Sequence, residues 1–144
     1  MLDENDIERF IEAQDIPFFC GYNQALEEVR EGEKINHWIW YIFPQLRSMA
    51  GSEKGYYYGI ADIDEAVRYL RHDILGSRIR EITMALLEHK GKTALSIFGE
   101  IDAVKVFSSM TMFDYLSPND IFGEVLDSFY EGERCNITLK ELQQ

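Results

Sequence analysis

The stretch from Asp73 to Lys90 constrains the fold more than any other part of this chain. Within it Ile74, Leu75, Ile79, Ile82, Leu86 and Leu87 recur at the three- and four-residue spacing that gathers apolar side chains on one face of an α-helix, and Gly91 follows as a stop. A helix of that kind is held mainly by what its apolar stripe packs against, so the remaining sequence must supply partner faces. It does so repeatedly. Asp6 to Gln14 carries Ile7, Phe10 and Ile11 on one face, and Pro17 then ends that helix or turns the chain. Tyr22 to Glu31 points Leu26 and Val29 inward and has Gly32 placed as a C′ glycine. Asp62 to Arg71 opens with Asp62 and Glu65 at capping-box spacing and bears Ile63, Ala66, Val67 and Leu70. Thr93 to Phe98 is a short helical piece capped by Thr93 and stopped by Gly99. Asp102 to Met112 and Asn119 to Tyr130 follow, the second capped by Asn119, and an amphipathic tail from Thr138 is expected to fray at its end.

Two segments are less regular. Within Ile35 to Leu46 the run His37-Trp38-Ile39-Trp40-Tyr41-Ile42-Phe43 suits a buried helix or a strand; its length and helical flanks predict a helix that ends before Pro44. Ser48 to Tyr58 is glycine-spaced and aromatic, which predicts an ordered loop or short turns. No pair of alternating strands with a hairpin turn occurs. The expected fold is mainly α: a compact single domain over residues 1–144, a bundle of about six to eight short helices with no extended sheet. With 46% hydrophobic residues, a chain of this length can bury a core without staples.

Charge excludes several function classes. Lys and Arg number 14 against 26 Asp and Glu, a formal net charge of −12. Such a chain is poorly suited to neutralising nucleic-acid phosphates or docking on anionic lipid, so neither nucleic acid nor membrane is an expected partner. The acidic runs Asp3 to Asp6, Glu27 to Glu33 and Glu124 to Glu133 read as solvated exterior, or as a surface for a basic protein partner. The acidic N-terminus lacks a signal peptide's basic and apolar regions, and no window is apolar enough for a membrane helix. Cys20 and Cys135, with no CxxC pair, read as reduced thiols, and the expected compartment is the cytoplasm.

The string Lys34 to Leu46, KINHWIWYIFPQL, resembles the hallmark of the bacterial domain-of-unknown-function family numbered 1810. The resemblance continues through Tyr58-Gly59-Ile60, Glu65 to Leu70, Leu75-Gly76-Ser77-Arg78, Ile97-Phe98-Gly99 and Ser108 to Phe113, and it takes in Arg9 to Gln14. It spans residues 6–132, leaving 133–144 as a tail that can hold an extra short helix. The resemblance implies a small, mainly helical cytosolic protein and no particular activity. Some members carry a calpastatin-like label, yet inhibitor segments of that kind are disordered and Pro-rich, unlike this chain with its three prolines. One departure is Asn36, where the family more often has serine.

Three constellations carry chemistry. On a helix, Lys34, His37 and Tyr41 share a face at i, i+3 and i+7, with Trp38 at its edge and Gln45 beyond. His37, as an imidazole, suits a general acid or base; Lys34 attracts an anion, and Trp38 can stack on a flat ring. The alternative is that both tryptophans are core anchors, with His37 hydrogen-bonded to backbone and Lys34 snorkelling. Second, Asp102, Lys105, Ser108 and Ser109 share a helix face followed by Thr111, and hydroxyls beside a lysine can cradle a phosphate or carboxylate. Equally, helix serines bond back to the preceding turn and Asp102–Lys105 is an ordinary i,i+3 pair. Third, Arg78 can clamp an anion or pair with an internal acid such as Glu65 or Glu81, while Gly76 permits close helix approach. The loop Gly51 to Gly59 lacks the GxxxxGK[ST] spacing of a phosphate loop but suits a lid over His37, with at least one of Tyr56, Tyr57 and Tyr58 outside the core; Tyr58 joins the ligand-lining set.

His37, His72 and His89 lie far apart and no metal motif occurs, so neither metal nor cofactor is expected. The preferred reading is a pocket for a small anionic or nucleotide-like ligand, lined by the His-Trp-x-Trp…Phe-Pro-Gln and Ser-Ser-Met-Thr segments. The alternative is a non-catalytic acidic interaction module.

Overall fold

The computed structural model describes residues 1–16 and 20–144, so the expected turn at Pro17 lies outside the described residues. Among these, ten α-helices form: α1 (Glu8–Asp15), α2 (Tyr22–Glu31), α3 (Ile39–Ile42), α4 (Glu53–Tyr57), α5 (Ile63–Arg71), α6 (Asp73–Leu87), α7 (Ala94–Phe98), α8 (Glu100–Leu116), α9 (Ile121–Phe129) and α10 (Asn136–Leu142). A 3-10 turn spans Arg47–Met49. No strand occurs among the described residues. Leu46 and Ile60 make one isolated parallel bridge, in which Arg47 N–H donates to Ile60 O at 2.8 Å and Ile60 N–H to Gln45 O at 2.9 Å. That bridge ties together the two ends of the glycine-spaced loop. The mainly helical class is as expected; the helices outnumber the expected six to eight, and α4, capped by Ser52, forms within the stretch expected as an ordered loop or short turns.

Cap chemistry sets most boundaries. Gly32 adopts φ 81°, the left-handed conformation that ends α2 where the sequence predicts. The Asp62 side chain accepts from Glu65 N–H at 2.9 Å to start α5. Thr93 caps α7 by accepting from Ser96 N–H at 3.0 Å. The start of α9 differs from expectation. Asn119 sits at φ 60°, and its neighbour Asp120 is the cap, accepting from Ile121 N–H at 2.7 Å and from the Ser117 hydroxyl at 2.6 Å. The largest difference lies in Ile35 to Leu46, where only Ile39–Ile42 is helical.

Helices α6 and α8 are the framework. Helix α6 packs on α2, α5 and α9, and α8 on α5, α7, α9 and α10. Gly76 is obligatory where α5 turns into α6, since a Cβ there would collide with the Leu70 carbonyl oxygen. The core is aromatic: Trp38, Phe10, Phe43, Phe113 and Phe122 are shut off from solvent. Edge-on contacts join Phe43 to Phe98 at 5.8 Å and Phe10 to Tyr69 at 5.0 Å. Helix α8 has apolar side chains on both its inner and outer faces, burying Val106, Met110 and Phe113 while exposing Ile101 and Val104. The tail docks, with Thr138 and Leu142 buried.

One buried ion pair locks the glycine-spaced loop to this framework. Arg9, wholly buried on α1, donates to Glu65 Oε2 at 2.8 Å and Oε1 at 3.1 Å. It also donates to the carbonyls of Tyr57 at 2.6 Å, Gly59 at 2.8 Å and Asp6 at 2.9 Å. Every guanidinium edge has an acceptor, so the charge is compensated where it is buried. Among the described residues, no helix is long and apolar enough to cross a membrane.

Candidate functional site

The segment Lys34 to Leu46 is shaped by a carboxylate outside it. Glu28, buried on α2, accepts from Ile35 N–H at 2.7 Å, Asn36 N–H at 3.0 Å, the Asn36 amide at 2.6 Å and the Trp38 indole N–H at 2.9 Å. Gln24 adds a fifth donor at 3.0 Å. Burial alone would push this carboxyl up, but the donors of Asn36, Ile35 and Trp38 outweigh it and hold Glu28 at about 2. These donors wrap Ile35 to Trp38 around the carboxylate as a non-helical loop, and the predicted helix shrinks to Ile39–Ile42. The one-face arrangement of Lys34, His37 and Tyr41 therefore does not form.

The two tryptophans are separated. Trp38 is a core anchor bonded to Glu28, and its ring lies 5.0 Å from the Lys34 ammonium. Trp40, partly exposed on α3, has the ammonium of Lys54 5.0 Å and that of Lys105 5.5 Å from its ring centroid. It stands at a cleft of about 560 Å³. One wall comes from Gln45, Met49, Gly51, Ser52 and Gly55; the other is the α8 face of Glu100, Ile101, Val104 and Lys105. Asp102 links Lys34, at 2.8 Å, to Lys105, at 3.6 Å. The expected i,i+3 pair is present, and the first two constellations meet through it. Lys34 itself is closed off, also donating to Asn36 O at 2.7 Å.

A second cleft, of about 330 Å³, lies on the other side of α4. His37, Tyr41 and Tyr58 line it with Cys20, Lys54 and Tyr57. His37 is exposed at the tip of the loop that Glu28 anchors. Tyr41 is buried, and its hydroxyl donates to Cys20 O at 2.8 Å. The predicted covering of the His37 region by the Gly51 to Gly59 loop is met in part, because Glu53, Lys54, Tyr57 and Tyr58 form one wall here.

The remaining predicted residues lie elsewhere. Arg78 is engaged at the end of α1, donating to Gln14 Oε1 at 3.0 Å, pairing with Asp15 at 2.9 Å and lying 5.1 Å from the Tyr22 ring. Its acid is Asp15 rather than Glu65, which Arg9 holds, or Glu81, which accepts from the Tyr22 hydroxyl at 2.6 Å. Ser108, Ser109 and Thr111 are buried farther along α8 and line neither cleft. Ser108 bonds Thr138 at 2.8 Å, and Thr111 donates to Phe107 O at 2.8 Å and accepts from Cys135 N–H at 3.0 Å. Two of these hydroxyls thus fasten α10 and its approach to α8, while the Ser109 hydroxyl has no partner among the described residues. Both cysteines are free thiols.

A family model described as "Protein of unknown function (DUF1810)" matches residues 4–142. The chain belongs to that family. A solved structure, the conserved hypothetical protein Rv1873 from Mycobacterium tuberculosis, matches with a TM-score of 0.91 at 38% sequence identity, covering 99% of each chain. No curated protein matches.

Within the family's signature string the structure divides labour. Asn36 and Trp38 bind Glu28, Phe43 fills the core, and Trp40, Gln45 and His37 are left facing clefts. Sequence reasoning missed Trp40, Lys54 and Glu28 as site-forming residues. The signal available for Lys54 was a lone cation inside an aromatic, glycine-spaced loop; for Glu28 there was none, since four of its five donors arrive from outside its own helix.

Proposed function

We propose that this protein binds a compact planar anion, of nucleotide-like chemistry, in the Trp40 cleft. The observation that carries this reading is the placement of two lysine ammoniums over one half-open tryptophan ring in a chain of net charge −12. Lysines scattered on an acidic surface would sit beside carboxylates; among the described residues Lys54 has no carboxylate within ion-pair distance, and Lys105 shares Asp102 at 3.6 Å. The cleft volume of 560 Å³ falls within the ordinary range for small-molecule sites. Trp40 supplies a stacking face, Gln45 an amide that can donate and accept, Lys105 charge in the lining, and Lys54, a lining residue of the neighbouring cleft, charge from beside the ring. A nucleotide supports all four roles at once. No reaction is assigned, and His37 faces the neighbouring cleft.

A second reading, a docking surface for another protein, draws on exposed Ile101 and Val104 beside the cleft and Leu95 on α7. Intrinsic fluorescence separates the two readings. Trp38 is fully buried, so a solution ligand that alters tryptophan emission acts through Trp40. Adenosine monophosphate, adenosine and inorganic phosphate would be titrated against wild type and a Lys54→Ala/Lys105→Ala variant. Saturable quenching by the nucleotide, weaker for adenosine, reduced by salt and lost in the variant is the expected result. An unresponsive, folded wild type overturns the small-anion reading and leaves the protein-docking one.

A further inference from the structure

The second cleft has a different chemistry from the first. Its walls are tyrosines set nearly at right angles: Tyr58 meets Tyr57 at 4.7 Å with an interplanar angle of 80°, and Tyr41 at 5.3 Å and 62°. The Tyr41 and Tyr57 hydroxyls are already committed, to Cys20 O and to Leu2 O at 2.8 Å each. What these two residues offer a ligand is therefore ring surface, and an aromatic face is electron-rich. The surroundings are anionic as well. Burial is the main reason the Tyr57 hydroxyl is harder to ionise than usual, and the carboxylates of Glu12, Asp6 and Asp3 push in the same direction. Arg9 opposes them, but it is paired with Glu65 at 2.8 Å. Glu53 stands in the lining itself. Three lining residues oppose a cation: Lys54, whose ammonium is held over the Trp40 ring, Met1 with its terminal amino group, and His37.

We propose that this tyrosine-walled cleft binds a small organic cation, a methylated ammonium of choline size. Rings meeting near right angles present two faces to one guest, an arrangement suited to a soft, weakly hydrated cation. A metal ion is a poor alternative, because among the described residues no three His, Cys, Asp or Glu side chains cluster closely enough to hold one. This site lies in a different cleft from the anion reading and shares only Lys54 with it.

The test compares choline with its neutral isostere 3,3-dimethylbutan-1-ol on the intact wild-type chain, read by NMR shift titration. A cation–ring site binds choline about tenfold more tightly than the alcohol. Equal affinities would identify a merely greasy cleft and overturn the proposal, as would absence of saturable shifts up to about 50 mM choline. Tyr58→Phe, which keeps the ring, is expected to bind within about threefold of wild type, and Tyr58→Leu to lose selectivity for the cation. Lys54→Ala removes the like charge and is expected to tighten choline binding severalfold; unchanged or weaker binding would place the guest elsewhere. The wild-type comparison decides the matter even if Tyr58→Leu fails to fold, and Trp40→Phe leaves choline affinity unchanged if the two clefts are separate.

Discussion

Trp38 and Trp40 lie two residues apart in the chain and in two physically different regions of the molecule. Around Trp38 and Glu28, and around Arg9 and Glu65, buried polar groups are matched donor for acceptor and closed to water. Around Trp40 the polar groups are lysines loosely set over a ring, with exposed aliphatic side chains beside them. A buried charge persists only if its surroundings satisfy it, so the first region carries the signature of stability. The second leaves charge and apolar surface available, which contributes little to folding and is the condition for binding. Within one short motif, then, the chain separates building from presenting.

This contrast can be broken, most severely at the Arg9 pair. Arg9→Met leaves Glu65 buried without its cation, and a loss of about 3–5 kcal/mol in urea unfolding is expected, with Arg9→Met/Glu65→Leu recovering much of it. A single-variant loss below about 1 kcal/mol would mean the closed region does not hold the fold. Glu28→Gln is expected to cost about 2–3 kcal/mol, because one carboxamide oxygen cannot serve five donors. Its acid behaviour is diagnostic. The folded Glu28 carboxyl is held at about 2, below its ordinary 4.5, so its stabilisation is full above the ordinary value and disappears as pH falls through about 2. The variant should show a flatter acid limb than wild type in unfolding midpoints between those pH values.

Smaller effects sharpen the same contrast. The Thr83 hydroxyl is buried with no partner among the described residues, so Thr83→Val is expected to raise stability by about 1 kcal/mol in the same urea assay. Lys105→Ala, in the open region, should move the unfolding free energy by less than about 0.5 kcal/mol. A larger loss would assign the Trp40 lysines to the fold rather than to a ligand.

Legibility followed the range of the forces. Gly32 ending α2, Asp62 and Thr93 capping α5 and α7, and the stripe of α6, apart from exposed Ile74, were readable because they rest on residues within four positions of one another. The stretch Ile35 to Leu46 was not, because its first residues fold around Glu28, a carboxylate on another helix. Candidate-site residues divided the same way. Gln45 and Lys105 reach the Trp40 cleft, and His37, Tyr41 and Tyr58 share the tyrosine cleft. Ser108 and Thr111 were drawn from a helical face whose neighbour, α10, was not foreseeable from spacing alone.

By itself the sequence determined the helical class, most helix ends and the poverty of positive charge, since periodicity, caps and composition act locally or by simple addition. Only the tertiary structure decided which tryptophan is buried, which acid holds which base and which side of α4 each aromatic faces. Those outcomes depend on contacts between residues far apart in the chain, where packing and desolvation outweigh local preference.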